Sequence, residues 1–138
     1  MNRFGFGAIA TGILAAGCAT GAGYAGPSDK VSATLAKYER TGETTACLNI
    51  GRIDSIKALD ERHFLVRTGV NSYYLNEPSA GCNGAGRSNQ RIQYVLGNSQ
   101  LCRNQIVTVV DNTSGIISGS CGLGSFEKLE QKPADAEE

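Results

Sequence analysis

"SIKALDERHFLVRTGVNSYYLNE", Ser55 to Glu77, decides the fold. Three short runs lie within it, "SIKALD", "HFLVRTG" and "SYYLNE", supplied with the β-branched and aromatic residues that suit a pleated surface. The charged trio Asp60-Glu61-Arg62 separates the first two, and Gly69 with Asn71 separates the last two. Links this short cannot hold the crossover that parallel neighbours require. The segment from Ile53 to Leu75 therefore reads as an antiparallel meander.

Strand character continues outward in both directions. "CLNIGRI" precedes the meander, and "EPSAGCNGAGRSN", Glu77 to Asn89, follows it as a loop by composition. In "RIQYVLG", Ile92, Tyr94 and Leu96 alternate with Gln93 and Val95. Gly97-Asn98-Ser99 then turns the chain into "QLCRNQIVTVV", "DNTSG" makes another turn, and "IISGSC" with "GSFEKL" closes the series. One helix is predicted. Ser28 and Asp29 offer N-caps to "KVSATLAKYER", where Val31, Leu35 and Tyr38 share one face and Gly42 supplies a stop. Its apolar stripe should lie across the sheet that follows. The fold class is mainly β: a small antiparallel sheet or open barrel with one short N-terminal helix.

The N-terminus reads as targeting. Arg3 is the only charged side chain before Asp29, and the apolar, small-residue run Phe4–Gly17 is shorter than the about 20 residues of a spanning helix. Leu14-Ala15-Ala16-Gly17-Cys18 resembles a bacterial lipobox, although Leu14 stands one place further from the cysteine than the commonest arrangement has it. A thiol is the soft nucleophile suited to taking up a diacylglyceryl group, and small flanking residues let a protease approach the backbone. The expectation is a lipoprotein signal peptide over 1–17, a lipidated Cys18 with a Gly-rich tether over 18–28, one disulfide-stapled β domain over 29–129, and an acidic disordered tail over 130–138. Ala19 is not the aspartate of an inner-membrane retention signal, so a Gram-negative host would carry the chain on its outer membrane, facing the periplasm. The alternative is cleavage after Ala22 or Ala25 and release as a soluble periplasmic protein.

Composition narrows the partners. The 138 residues carry 13 Lys and Arg against 13 Asp and Glu, and Arg3 belongs to the leader, so the remainder is slightly acidic. That argues against a nucleic-acid partner, which would call for a basic stripe. There is no tryptophan, and only Phe64 and Phe126 remain beyond the leader. So small a core benefits from staples. Cys47, Cys82, Cys102 and Cys121 contain no C-x-x-C and match no zinc or redox spacing, which leaves disulfides in an oxidising compartment and no expected metal or cofactor. Four cysteines allow three connectivities. The one adopted as an expectation pairs Cys82 with Cys102 and Cys47 with Cys121, tying the first strand of the domain to the last.

One pattern resembles a known group. A cysteine before "GRIDSIKALDERHFLVRTG", then "YYL", a cysteine in a Gly-rich loop, "LC" before "QIVTVV", and a last cysteine before a strand ending in Leu is similar to a family of small proteobacterial envelope lipoproteins described only as a domain of unknown function with four cysteines. The resemblance runs from about Ala46 to Leu129. It implies a secreted two-disulfide domain and brings no activity or active-site residues. The Asn83–Arg87 loop is richer in glycine than the family pattern.

Chemistry-bearing residues are few. His63 is the only histidine, placed where a strand begins and partial exposure is ordinary, and a small hydrolase would have to be built on it. Asp54, Asp60, Glu61 and Glu77 sit at turns or strand ends, where charges serve solvation. Arg87, Arg91 and Arg103 are the one constellation with binding character: in or beside the Cys82 loop, and gathered towards one end of the domain near Tyr94 if Cys82 pairs with Cys102, they would meet an anionic group such as a lipopolysaccharide phosphate or a glycan carboxylate through guanidinium forks. The reading is a non-catalytic envelope lipoprotein, a structural or binding module with a membrane anchor and an envelope protein or glycan as partner. The alternatives are a periplasmic inhibitor of a cell-wall-degrading enzyme such as lysozyme, presenting the Cys82 loop, and the His63 hydrolase.

Overall fold

Phe64, Leu65 and Val66 are buried in succession, so the strand that carries them is covered on both faces. The computed structural model describes residues 26–134. Cys18, the leader, most of the expected tether and residues 135–138 lie outside the described residues. Along the chain, α1 (Asp29–Leu35) leads into β1 (Tyr38–Thr45), β2 (Cys47–Asn49), a single 3-10 turn at Ile50–Arg52, β3 (Ser55–Ala58), β4 (Phe64–Arg67) and β5 (Tyr73–Asn76). Beyond the loop come β6 (Gln90–Tyr94), β7 (Gln100–Cys102), β8 (Ile106–Asp111), β9 (Ile117–Gly122) and β10 (Phe126–Gln131).

The meander is present as β3, β4 and β5, paired antiparallel with Val66 opposite both Ile56 and Tyr74. β10 and then β1 extend it to a five-stranded sheet ordered β1-β10-β5-β4-β3. A three-stranded sheet, β6-β8-β9, and a ribbon, β2-β7, complete the described strands, and all pairings are antiparallel.

Two apolar clusters follow from the alternation of side chains. Phe64, Val66 and Phe126 join Leu48, Leu101, Val107, Val109 and Leu123 in the larger core. Leu65, Leu75 and Leu129 point the other way, towards Val31 and Leu35 of α1. The helix thus lies across the sheet as its stripe predicts. Ser28 caps it, accepting from the Val31 N–H at 3.4 Å.

Three expectations are corrected. The helix ends at Leu35, and Tyr38–Arg40, expected to be helical, and Gly42, its expected stop, belong to the edge strand β1. This strand is almost wholly exposed, so its residues carry no apolar alternation. Gly42, at φ 76°, sits in an irregularity where the register with β10 shifts between Arg40 and Thr44. At the other end, Glu130 and Gln131 were assigned to the tail but pair with Glu39 and Tyr38.

The disulfides are Cys47–Cys102 and Cys82–Cys121, in place of Cys47–Cys121 and Cys82–Cys102. Strand register makes the choice. Cys47 and Cys102 stand directly opposite each other in the β2–β7 ladder, with Cα atoms 4.0 Å apart. First and last strands meet through the β1–β10 ladder and need no covalent tie. Cys82 is fully buried against β9, where Cys121 faces the core.

Candidate functional site

The loop after β5 is pinned down residue by residue. Cys82 donates its N–H to the Glu61 carbonyl at 2.8 Å, and the Gly84 N–H donates to Glu61 Oε1 at 2.9 Å. Asn83 Nδ2 donates to the Ser118 carbonyl at 3.1 Å. Gly86, at φ 82°, packs so tightly on the β3–β4 turn that an added Cβ would stand 2.7 Å from Asp60 Cα. Cys82, Gly84 and Ala85 are buried. The middle of the loop lies flat against the body, whereas the inhibitor reading asks for a protruding one.

Past Gly86 the chain emerges, and Arg87 and Arg91 line a depression between the exposed edge of β3 and the start of β6. Its volume is about 360 Å³. Lys30 of α1 and Lys57 of β3 contribute two further cations, Ser88 and Gln90 add polar groups, and Ile56 and Ile92 supply apolar wall. Among the described residues no carboxylate lines it. Arg91 donates to Asn112 Oδ1 at 3.1 Å, which orients its guanidinium without neutralising it. Gln90 Nε2 and Asn89 Nδ2 both donate to Asp111, at 3.3 and 3.0 Å, fastening the end of the loop to β8.

Arg103 is not part of this group. With Cys102 bonded to Cys47, Arg103 turns at the end of the ribbon and donates its backbone N–H to Ala46 at 2.7 Å. The arginine constellation therefore divides. Lys30 and Lys57, which take the place of Arg103, had no local signal: they are ordinary solvent-facing lysines on a helix and a strand until the fold brings them together.

His63 is buried, its side chain only 9% exposed, where partial exposure was expected. Nδ1 lies 2.8 Å from Asp60 Oδ1, and Nε2 lies 3.6 Å from Glu77 Oε1. Glu77 in turn accepts from Arg40 at 3.2 Å, and Arg40 also grips Glu127 through both Nε and Nη2. The Arg40 hydrogen bonds hold the Glu127 carboxyl below the usual carboxylate range, and the same contact raises Arg40. Asp60, Glu61 and Glu77, expected only to be solvated, thus have structural partners. Both ring nitrogens of His63 face carboxylates, and the depression described above does not reach it.

A second hollow of about 310 Å³ lies beside the β2–β7 ribbon, lined by Arg52, Asn49, Tyr74 and the hydroxyls of Thr45, Thr68 and Ser72. Thr68 and Ser72 satisfy each other at 2.9 Å. Among the described residues no group of histidines, cysteines and carboxylates is arranged to hold a metal ion. Nor is any described helix long and apolar enough to cross a membrane. Two disulfides are compatible with an extracytoplasmic setting. No protein-family model, curated protein or solved structure matches the chain.

Proposed function

We propose that the protein is a non-catalytic lipoprotein of the cell envelope, anchored through Cys18 to the outer membrane and facing the periplasm, whose folded domain binds an anionic group. One observation carries this reading: Lys30, Lys57, Arg87 and Arg91 line a single depression to which the described residues contribute no carboxylate. Four like charges around one hollow repel each other, and an entering phosphate or carboxylate relieves that repulsion while accepting from the guanidinium donors. The apolar wall of Ile56 and Ile92 suits a ligand that is not wholly polar. His63 supports the non-catalytic part, since its ring is buried and spent on Asp60 and Glu77.

Two measurements test the proposal. The intact mass of the mature chain should show acyl chains on Cys18, and a mass equal to the bare polypeptide overturns the anchor. Titration with tripolyphosphate should perturb the amide resonances of residues 84–92, and Arg87→Ala/Arg91→Ala should weaken that binding by at least about tenfold, as expected for losing two charge-assisted contacts. Unchanged affinity in the double variant removes the anion site.

A further inference from the structure

We infer that the anionic group held by this depression is the phosphate of a lipid headgroup with net negative charge in the membrane to which the chain is itself anchored, so that the domain docks with the Lys30–Lys57–Arg87–Arg91 face on the bilayer. The inference rests on the anion-binding reading above and adds the identity of the ligand. The position of the site relative to the anchor carries it. Lys30 belongs to the first turn of α1, the first regular element of the described chain, and it lines the depression. The stretch from Cys18 to Lys30 spans at most about 40 Å when fully extended. A domain of this size is itself roughly 30 Å across. Even at full extension the tether exceeds the width of the body only slightly, so the side of the domain from which it departs is the side held nearest the bilayer.

Charge completes the argument. Residues 19–28 contain no charged side chain, so the first charges reached from the anchor are Asp29 and Lys30. Asp29 does not line the depression. All four cations are exposed, and their field extends only about 8 Å at physiological salt, which limits it to partners held close by. The anchor holds headgroups at that range and presents them at high effective concentration. Each Lys or Arg brought to an anionic surface contributes about a fivefold factor in partitioning.

The test uses the mature lipoprotein reconstituted into two kinds of vesicle, phosphatidylcholine alone and phosphatidylcholine with about one third phosphatidylglycerol. The anchor inserts equally in both, so a difference between them reports the domain. An amine-reactive reagent should label Lys30 and Lys57 about fivefold more slowly in the anionic vesicles, relative to Lys132, and the protection should vanish in Arg87→Ala/Arg91→Ala and at 0.5 M salt. Equal labelling in the two vesicles overturns the inference. If tripolyphosphate nevertheless protects the same lysines, the anion-binding reading survives and a soluble anion is the ligand. If it does not, both fall. A mature chain without acyl groups removes the tether and the inference with it.

Discussion

From Asp60 through His63, Glu77 and Arg40 to Glu127, charges and a buried imidazole alternate, each within 4 Å of the next. Across the β3–β4 turn, in the depression beside Gly86, four cations share a hollow with no carboxylate among its lining. Both regions lean on the same turn and both are built from charged side chains. In the first, pairing consumes the charge and leaves a brace between sheet strands. In the second, the charge stays available. The contrast teaches that the fold, more than residue type, sets whether a charged side chain in this domain is paired or left facing an open hollow.

The comparison breaks most severely when the shared support is removed. Cys82→Ala/Cys121→Ala should cost about 4 kcal/mol, from the loop-closure entropy of the 39-residue separation, and should release the loop that presents Arg87. Urea unfolding checks the cost, and tripolyphosphate titration of the folded fraction checks the lost site. Removing Cys47–Cys102 should cost a similar amount by the same reasoning and spare the site, since the ribbon does not line it.

Gly86→Ala should destabilise by about 2 kcal/mol and weaken anion binding together, because its Cβ collides with the Asp60 backbone at a positive φ. His63→Ala should cost about 2 kcal/mol, through the cavity and the lost contact to Asp60, which keeps the Arg62 N–H, with anion affinity unchanged. Anion affinity that falls with His63→Ala would mean the two regions are coupled, and the contrast drawn above would fail.

The smallest effect depends on pH. Folding lowers the pKa of Glu127, through its bond to Arg40, so the stabilisation is present above the ordinary carboxylate range and is lost as pH falls through the folded value. Arg40 is half exposed, which holds the contribution to about 1 kcal/mol or less. Glu127→Gln should therefore be slightly less stable than the parent at pH 7, and the gap should narrow as pH falls below the ordinary carboxylate range. Arg87→Ala/Arg91→Ala should change stability by less than about 0.5 kcal/mol at either pH, since both side chains are exposed.

Legibility in the sequence follows burial. β4 announces itself because Phe64, Leu65 and Val66 are apolar on both faces, and its neighbours follow from the short turns on either side. β1 does not, because an edge strand exposed along nearly all its length needs no apolar period, and its helix-compatible residues extend the α1 pattern past its true end. Arg87 and Arg91 are visible as a local pair, one in the glycine-rich loop and one in the strand just beyond it. Arg103 seemed to join them only under the wrong disulfide, and Lys30 and Lys57 lie 27 residues apart on different elements. His63 looked like a strand-end residue because nothing local shows that Glu77, beyond two further strands, returns to face it.

The sequence by itself determined the antiparallel meander, the helix across its outer face and the use of four cysteines for staples, because these depend on local periodicity, turn length and residue count. Tertiary structure alone decided which cysteines bond, which arginine leaves the cluster and which lysines enter it. Those outcomes depend on strand register and on approaches between residues distant in the chain. A shift of one position along a ladder would pair different atoms without altering a single local signal.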